Sequence, residues 1–90
     1  MQMTEDGVEK QRKRLLYQSR HRGTKESDLF LGAFADTYLS GFSPAQLDRY
    51  DALLAENDAV IFDWLHERAA PPRERMDDVL RLLLDFKFRP

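Results

Sequence analysis

Apolar side chains recur at helical spacing along most of the chain, and no stretch alternates apolar and polar residues for long enough to predict a β-strand. The first helical segment begins near Val8 and ends before Gly23, a residue type that commonly terminates helices in a left-handed conformation. The second, from about Lys25 to Leu39, is apolar almost all round, which predicts a central and mostly buried helix. Gly32 costs this helix about 1 kcal/mol relative to alanine, and it predicts the close approach of a neighbouring helix.

Three further helices follow, and the first of them has the clearest start signal in the chain. Ser43 is predicted to cap it, Pro44 suits its first position because proline lacks the N–H that would stay unsatisfied there, and Gln46 completes a capping box. Asn57 and Asp58 can both cap the next helix, which a pair of prolines is predicted to end. The last helix is marked by five apolar side chains at helical spacing: Met76, Val79, Leu80, Leu83 and Leu84.

With 90 residues the chain is long enough for one domain with a modest core, since a chain of this size buries roughly two-thirds of the surface it exposes when unfolded. Residues 1–7 carry no periodic apolar pattern. We therefore predict an all-α fold, a compact five-helix bundle in a single domain formed by residues 8–87. A disordered N-terminal tail at residues 1–7 and a C-terminal tail at residues 88–90 are predicted to flank it.

The composition excludes several kinds of chemistry. The absence of cysteine excludes disulfides, thiolate catalysis and sulfur-based metal sites. His21 and His66 lie far apart in sequence and outside any spacing typical of metal ligands, so we expect no metal site. No serine lies in a strand-turn-helix elbow and no glycine-rich phosphate loop is present, so we expect no enzymatic activity. The longest uncharged apolar stretch is far below the ~20 residues that span a bilayer, so we expect no direct membrane insertion.

Charge is unevenly distributed, although the net charge is only −2. Seven of the fourteen Lys and Arg residues fall between Lys10 and Lys25, whereas six acidic residues and one Arg lie between Asp36 and Asp63. Such polarisation favours an oriented interaction with a partner, and two solvated faces of opposite sign are the alternative. The acidic net balance and the apolar second helix argue against a nucleic-acid partner.

The segment from Arg22 to Glu26, hereafter the 22–26 turn, concentrates charge just ahead of the most hydrophobic helix. Its sequence is Arg22-Gly23-Thr24-Lys25-Glu26. Glu26 suits the N-terminal end of a helix, and an exposed Arg22–Glu26 ion pair contributes only about 0–1 kcal/mol, so stability is a weak reason for this composition. A turn of small residues lets a partner approach the backbone closely, with Arg22 and Glu26 as polar anchors. A solvated connection between two helices is the alternative.

This turn resembles a known signature. Its residues match the Arg-Gly-x-x-Glu motif of the small succinate dehydrogenase assembly factors, also called flavinylation factors, and the resemblance covers roughly residues 8–85. Arg22, Gly23 and Glu26 carry the motif, whereas Thr24 departs from the methionine often found there. Further segments resemble helices of that family in order and spacing: Asp28-Leu29-Phe30-Leu31-Gly32-Ala33-Phe34, Tyr50-Asp51-Ala52-Leu53-Leu54, Asn57-Asp58 and Trp64-Leu65.

The resemblance implies an assembly factor with a chaperone-like role. Members of the family bind the flavoprotein subunit of succinate dehydrogenase, or of fumarate reductase in some bacteria, and promote covalent attachment of FAD to a histidine of that subunit. The resemblance therefore implies that FAD is attached to the partner, and that this chain binds no cofactor stably and is not an enzyme. The motif and the turn together provide six candidate partner-binding residues: Arg22, Gly23, Thr24, Lys25, Glu26 and Asp28. An alternative of a different class is a regulatory interaction protein, an antitoxin-like partner of a small membrane protein.

The N-terminal residues bear on the expected location. Glu5, Asp6 and Glu9 lie where a signal peptide needs apolar residues, and mitochondrial transit peptides avoid acidic residues. We therefore expect a cytoplasmic, bacterial protein. We also expect it to be a monomer.

Overall fold

The computed structural model describes residues 5–86, and within them the chain forms five α-helices and no β-strand. The helices are α1 (Glu5–Arg20), α2 (Lys25–Tyr38), α3 (Pro44–Leu54), α4 (Asp58–Leu65) and α5 (Asp78–Phe86), with short 3-10 turns at Leu39–Gly41 and Arg73–Arg75. Their apolar faces meet in one core, in which α1 packs along α2 and α3, and α5 packs against α3. The predicted all-α, five-helix, single-domain fold is confirmed.

The helix boundaries differ from the prediction at two places. α1 begins at Glu5, inside the segment predicted as a tail, because adding a turn to an existing helix costs little once the later turns are formed. α4 ends at Leu65, well before the proline pair, and the chain leaves it through Glu67, whose φ is 58°. The other predicted tail residues, 1–4 and 88–90, lie outside the described part of the chain.

Side-chain caps position the starts of α3 and α4. The N–H of Gln46 donates to the Ser43 hydroxyl at 3.2 Å, and the N–H of Ser43 donates to Gln46 Oε1 at 2.9 Å, which confirms the predicted capping box. Asn57 caps α4 by accepting the N–H of Ala59 at 2.8 Å. These bonds satisfy N–H groups that the first turn of a helix leaves without a partner.

Close packing of α1 on α2 depends on Gly32. A Cβ built at Gly32 would lie 3.3 Å from Cγ of Arg20, which is tighter than ordinary van der Waals contact. The predicted close approach of a neighbouring helix is therefore confirmed, and the neighbour is the last turn of α1. The rest of the α2 inner face is buried, including Leu31, Phe34 and Ala35.

An aromatic cluster fills the centre of the core. Phe34 is fully buried, and its ring centroid lies 4.9 to 6.3 Å from those of Tyr38, Phe42, Tyr50 and Phe86. The Tyr50 hydroxyl lies 2.6 Å from the hydroxyl of Ser19, which itself donates to the Leu15 carbonyl at 2.7 Å. Because the single Ser19 proton is used in that bond, Tyr50 is the donor to Ser19. This bond joins α3 to α1 inside the core.

Raising the pH above about 10 is expected to destabilise the fold through Tyr50. Burial raises the pKa of Tyr50 to about 12, and the charge of Arg22 offsets this only in part. Unfolded chains ionise tyrosine near pH 10, so the stabilisation is complete below about pH 10 and is lost as the pH rises through the folded pKa. The difference of about two pKa units between the folded and unfolded states corresponds to a total loss of about 3 kcal/mol in the free energy of unfolding.

Urea unfolding between about pH 9 and pH 12 checks this expectation. The free energy of unfolding should fall more steeply with pH in the natural chain than in Tyr50→Phe, which lacks the ionisable hydroxyl. Other groups that titrate in this range contribute equally to both proteins. Parallel pH profiles for the two proteins would contradict the role assigned to Tyr50.

Candidate docking site

The 22–26 turn joins α1 to α2, and its backbone requires a glycine. Gly23 has a φ of +117°, a conformation that side chains with a Cβ rarely adopt. A Cβ built there would meet no atom within 4 Å, so a substitution is disfavoured by backbone strain and not by lack of space. Thr24 caps α2 by accepting the N–H of Ser27 at 3.2 Å. Both residues therefore shape the turn.

Arg22 connects the turn to the end of α3 and the start of α4. Its side chain is only 14% exposed and forms an ion pair with Asp58, with Nη2 2.6 Å from Oδ1. Its two terminal nitrogens donate to backbone carbonyls, Nη1 to Leu54 at 2.7 Å and Nη2 to Glu56 at 3.0 Å. These carbonyls lie at the end of α3, where a helix leaves its last C=O groups without intrahelical partners. The ion pair between Arg22 and Glu26 considered from sequence is not formed.

Asp28 locks the turn from the other side. One oxygen of its carboxylate, Oδ1, accepts the N–H of Arg22 at 2.5 Å and the N–H of Gly23 at 3.3 Å. Asp28 lies in the first turn of α2, so this bond holds the turn against the helix that follows it. The carboxylate therefore has a structural role in the turn.

Four of the six candidate residues are exposed to solvent: Gly23, Thr24, Lys25 and Glu26. The Glu26 side chain is 73% exposed, and its Oε1 lies 4.0 Å from Nε2 of His66. One helical turn further on, Leu29 is 65% exposed and departs from the predicted burial of α2. Arg22, Thr24 and Asp28 thus hold the turn in shape, although Thr24 is itself exposed, and Glu26 lies on the outward surface.

Sequence reasoning missed two residues beside this surface. His66 comes from the end of α4, forty positions after Glu26, and no local pattern predicts that they meet. The predicted burial of α2 includes Leu29, although its spacing from Glu26 places both on one side of the helix. That spacing was the signal that could have identified Leu29 as exposed.

A polar cleft of about 370 Å³ lies behind the turn. Tyr17 and His21 stack at its edge with ring centroids 4.0 Å apart, and Arg22, Asp51 and Leu54 contribute to its lining. Over residues 5–86, no group of three or more His, Asp or Glu side chains is placed to ligate a metal ion. In the same range, no helix combines the length and the apolar content needed to cross a lipid bilayer.

The chain is similar to proteins of one known family. Residues 13–87 match the family described as "Flavinator of succinate dehydrogenase". The chain is 44% identical over 87 residues to mitochondrial succinate dehydrogenase assembly factor 2 of Debaryomyces hansenii. This match covers 92% of this chain and 61% of that protein. The protein of the same name from Dictyostelium discoideum is 43% identical over 76 residues, 84% of this chain and 54% of that protein.

A third relative agrees with these two. Mitochondrial succinate dehydrogenase assembly factor 2-B of Drosophila willistoni is 40% identical over 81 residues, covering 88% of this chain and 52% of that protein. The chain therefore spans between 52% and 61% of the length of these three relatives. Their names support neither fumarate reductase as a partner nor the antitoxin-like alternative.

The predicted cytoplasmic, bacterial location is wrong, because these relatives are eukaryotic proteins named as mitochondrial. The prediction depended on acidic residues near the start of the chain, among them Asp6 and Glu9, which lie in α1. Glu9 accepts a hydrogen bond from Arg12 at 3.0 Å. Its charge therefore belongs to the surface of a folded helix and carries no information about compartment.

Proposed function

This chain belongs to the succinate dehydrogenase flavinator family, and from that membership we propose that it binds the flavoprotein subunit of succinate dehydrogenase and promotes covalent attachment of FAD to it. In this proposal the chain is an assembly factor with no catalytic group of its own. The partner and the flavin supply the reacting groups, and FAD ends attached to the partner. The proposed assembly factor binds no cofactor stably and acts as a monomer.

The observation that carries the proposal is that some residues of the 22–26 turn hold its backbone while another is exposed to a partner. Arg22 and Asp28 hold the backbone in place from two sides, while Glu26 stands 73% exposed on the same turn. A surface that is already ordered before binding loses little conformational entropy when a partner docks. An exposed carboxylate on such a turn can pair with a cation or with N–H groups of the partner. We therefore propose Glu26, Gly23 and Lys25 as the contact residues of the turn.

Co-expression of the flavoprotein subunit with and without this chain tests the proposed function. Covalently bound flavin is measured by in-gel fluorescence after denaturation, because only covalently attached FAD stays with the polypeptide. We expect the fluorescence per flavoprotein to rise when the chain is present. Equal fluorescence in the two samples would overturn the proposal.

Glu26→Lys is expected to weaken binding of the flavoprotein subunit by about tenfold or more, since charge reversal at a docking contact replaces attraction by repulsion. The free energy of unfolding should fall by no more than about 1 kcal/mol, because Glu26 is exposed and loses only its favourable position at the N-terminal end of α2. Titration calorimetry with the purified subunit measures the first quantity, and urea unfolding measures the second. Glu74→Lys makes the same charge change at an exposed position near α5 and should bind normally. Equal affinities for Glu26→Lys and Glu74→Lys would remove Glu26 from the interface.

A further inference from the structure

A groove of about 430 Å³ opens between the end of α4, the segment that follows it and α5. Its apolar lining comes from Trp64, Ala69, Ala70, Pro71 and Leu84. Both alanines are exposed to solvent, so the groove is open along that side. An open concave surface of this composition suits an apolar side chain of a partner.

The rim of the groove carries the negative charge of the Glu67 carboxylate. Glu67 is exposed and lines the groove, and within residues 5–86 its carboxylate makes no hydrogen bond or ion pair. The neighbouring Arg68 forms an ion pair with Asp63, in which its Nε donates to Asp63 Oδ1 at 2.8 Å. The rim therefore complements a cation placed beside the apolar side chain.

Glu67 occupies a backbone position where glycine is the usual residue. Its φ of 58° is left-handed, and it follows the end of α4, where helices commonly place a left-handed glycine. A side chain with a Cβ is unfavourable for the backbone at this position, and within residues 5–86 the Glu67 carboxylate gains no hydrogen bond or ion pair in return. Such an outlier at a groove is the kind of feature that function retains.

The groove lies near the 22–26 turn. Glu26 on the turn lies 4.0 Å from His66, and His66 directly precedes Glu67 on the groove rim. His66 also stacks on Phe62 of α4, with ring centroids 5.9 Å apart. A partner that contacts Glu26 is therefore adjacent to the groove.

We infer that the groove is the second half of the surface that receives the flavoprotein subunit, and that it binds an apolar side chain of that subunit flanked by a Lys or Arg, which pairs with Glu67. This inference rests on the proposed function, because it names the same partner. The apolar side chain packs on Leu84 and Pro71, and the base reaches the Glu67 carboxylate. The turn and the groove then form a single docking surface that crosses from α2 to α5.

Two variants separate binding from folding. Glu67→Gly removes the carboxylate and relieves the left-handed backbone, so the thermal unfolding midpoint should stay equal or rise while affinity for the flavoprotein subunit falls about fivefold to tenfold. Ala70→Arg fills the groove at an exposed position and should weaken binding by about tenfold or more. Ala45→Arg, at an exposed alanine in the first turn of α3, is the matched control and should bind normally.

Affinity is measured by titration calorimetry with the purified flavoprotein subunit. Weaker binding of both groove variants, with intact folding, supports the inference. If the natural chain binds and Glu26→Lys does not, but Glu67→Gly and Ala70→Arg bind like the natural chain, the groove is not part of the interface and only this inference fails. If the natural chain itself does not bind the subunit, both the proposed function and this inference are overturned.

Discussion

Replacing Arg22 by alanine is expected to lower the free energy of unfolding by about 3 kcal/mol, because it leaves a largely buried carboxylate without its partner. The Arg22 side chain is 14% exposed and Asp58 is 22% exposed, so water compensates the lost ion pair poorly. The carbonyls of Leu54 and Glu56 lose their side-chain donor in the same variant. The 22–26 turn then loses its connection to the start of α4.

Urea unfolding measures this loss, and an exposed ion pair supplies the control. Arg49 pairs with Asp78 at 3.1 Å, but the two side chains are 43% and 50% exposed. Arg49→Ala should therefore cost no more than about 1 kcal/mol. A similar small cost for Arg22→Ala would show that the guanidinium does not fasten the turn.

Variants at Arg22 also test the role of this residue in the Arg-Gly-x-x-Glu motif. Arg22 acts as a positioning residue, because its side chain points into the protein and holds the turn that presents Glu26. Arg22→Lys keeps the charge but cannot reach three acceptors with a planar fork, so it should recover only part of the stability. If Arg22 contacted the partner directly, Arg22→Lys would weaken binding without lowering the free energy of unfolding.

Replacing Phe34 by alanine is expected to lower the free energy of unfolding by about 3–5 kcal/mol. Phe34 is fully buried, and its ring packs against four other aromatic rings from α2, α3, α5 and the segment between α2 and α3. The alanine would leave a cavity bounded by several helices, which cannot all close on it at once. A domain of this size has a total stability of about 5–13 kcal/mol, so the variant removes a large part of it.

Leu29→Ala is the matched control for this prediction, since it lies on the same helix and is 65% exposed. Its effect on the free energy of unfolding should stay within about 0.5 kcal/mol. Thermal unfolding followed by circular dichroism measures both variants. A loss for Phe34→Ala as small as that for Leu29→Ala would contradict the central place of Phe34 in the core.

Local signals account for most of what could be predicted. The Ser43–Gln46 capping box and the Asn57 cap depend on residues within three positions of each other, so the sequence shows both partners at once. The resemblance to flavinylation factors, based on the 22–26 turn, is confirmed by the family match over residues 13–87. The predicted compartment is wrong because the acidic residues near the start of the chain belong to the surface of α1. Their presence in the sequence does not distinguish a surface helix from the lack of a targeting peptide.

The sequence by itself determined the five helices, the central position of α2 and the family, because helix periodicity, caps and a short motif are written in neighbouring residues. Only the tertiary structure decided what the motif residues do. Arg22 finds Asp58 thirty-six positions later and Glu26 approaches His66 forty positions later, and such pairs form only when the helices pack. Because of the helix packing, the Arg22 side chain points inward and holds the turn in place, whereas the Glu26 side chain is exposed to solvent.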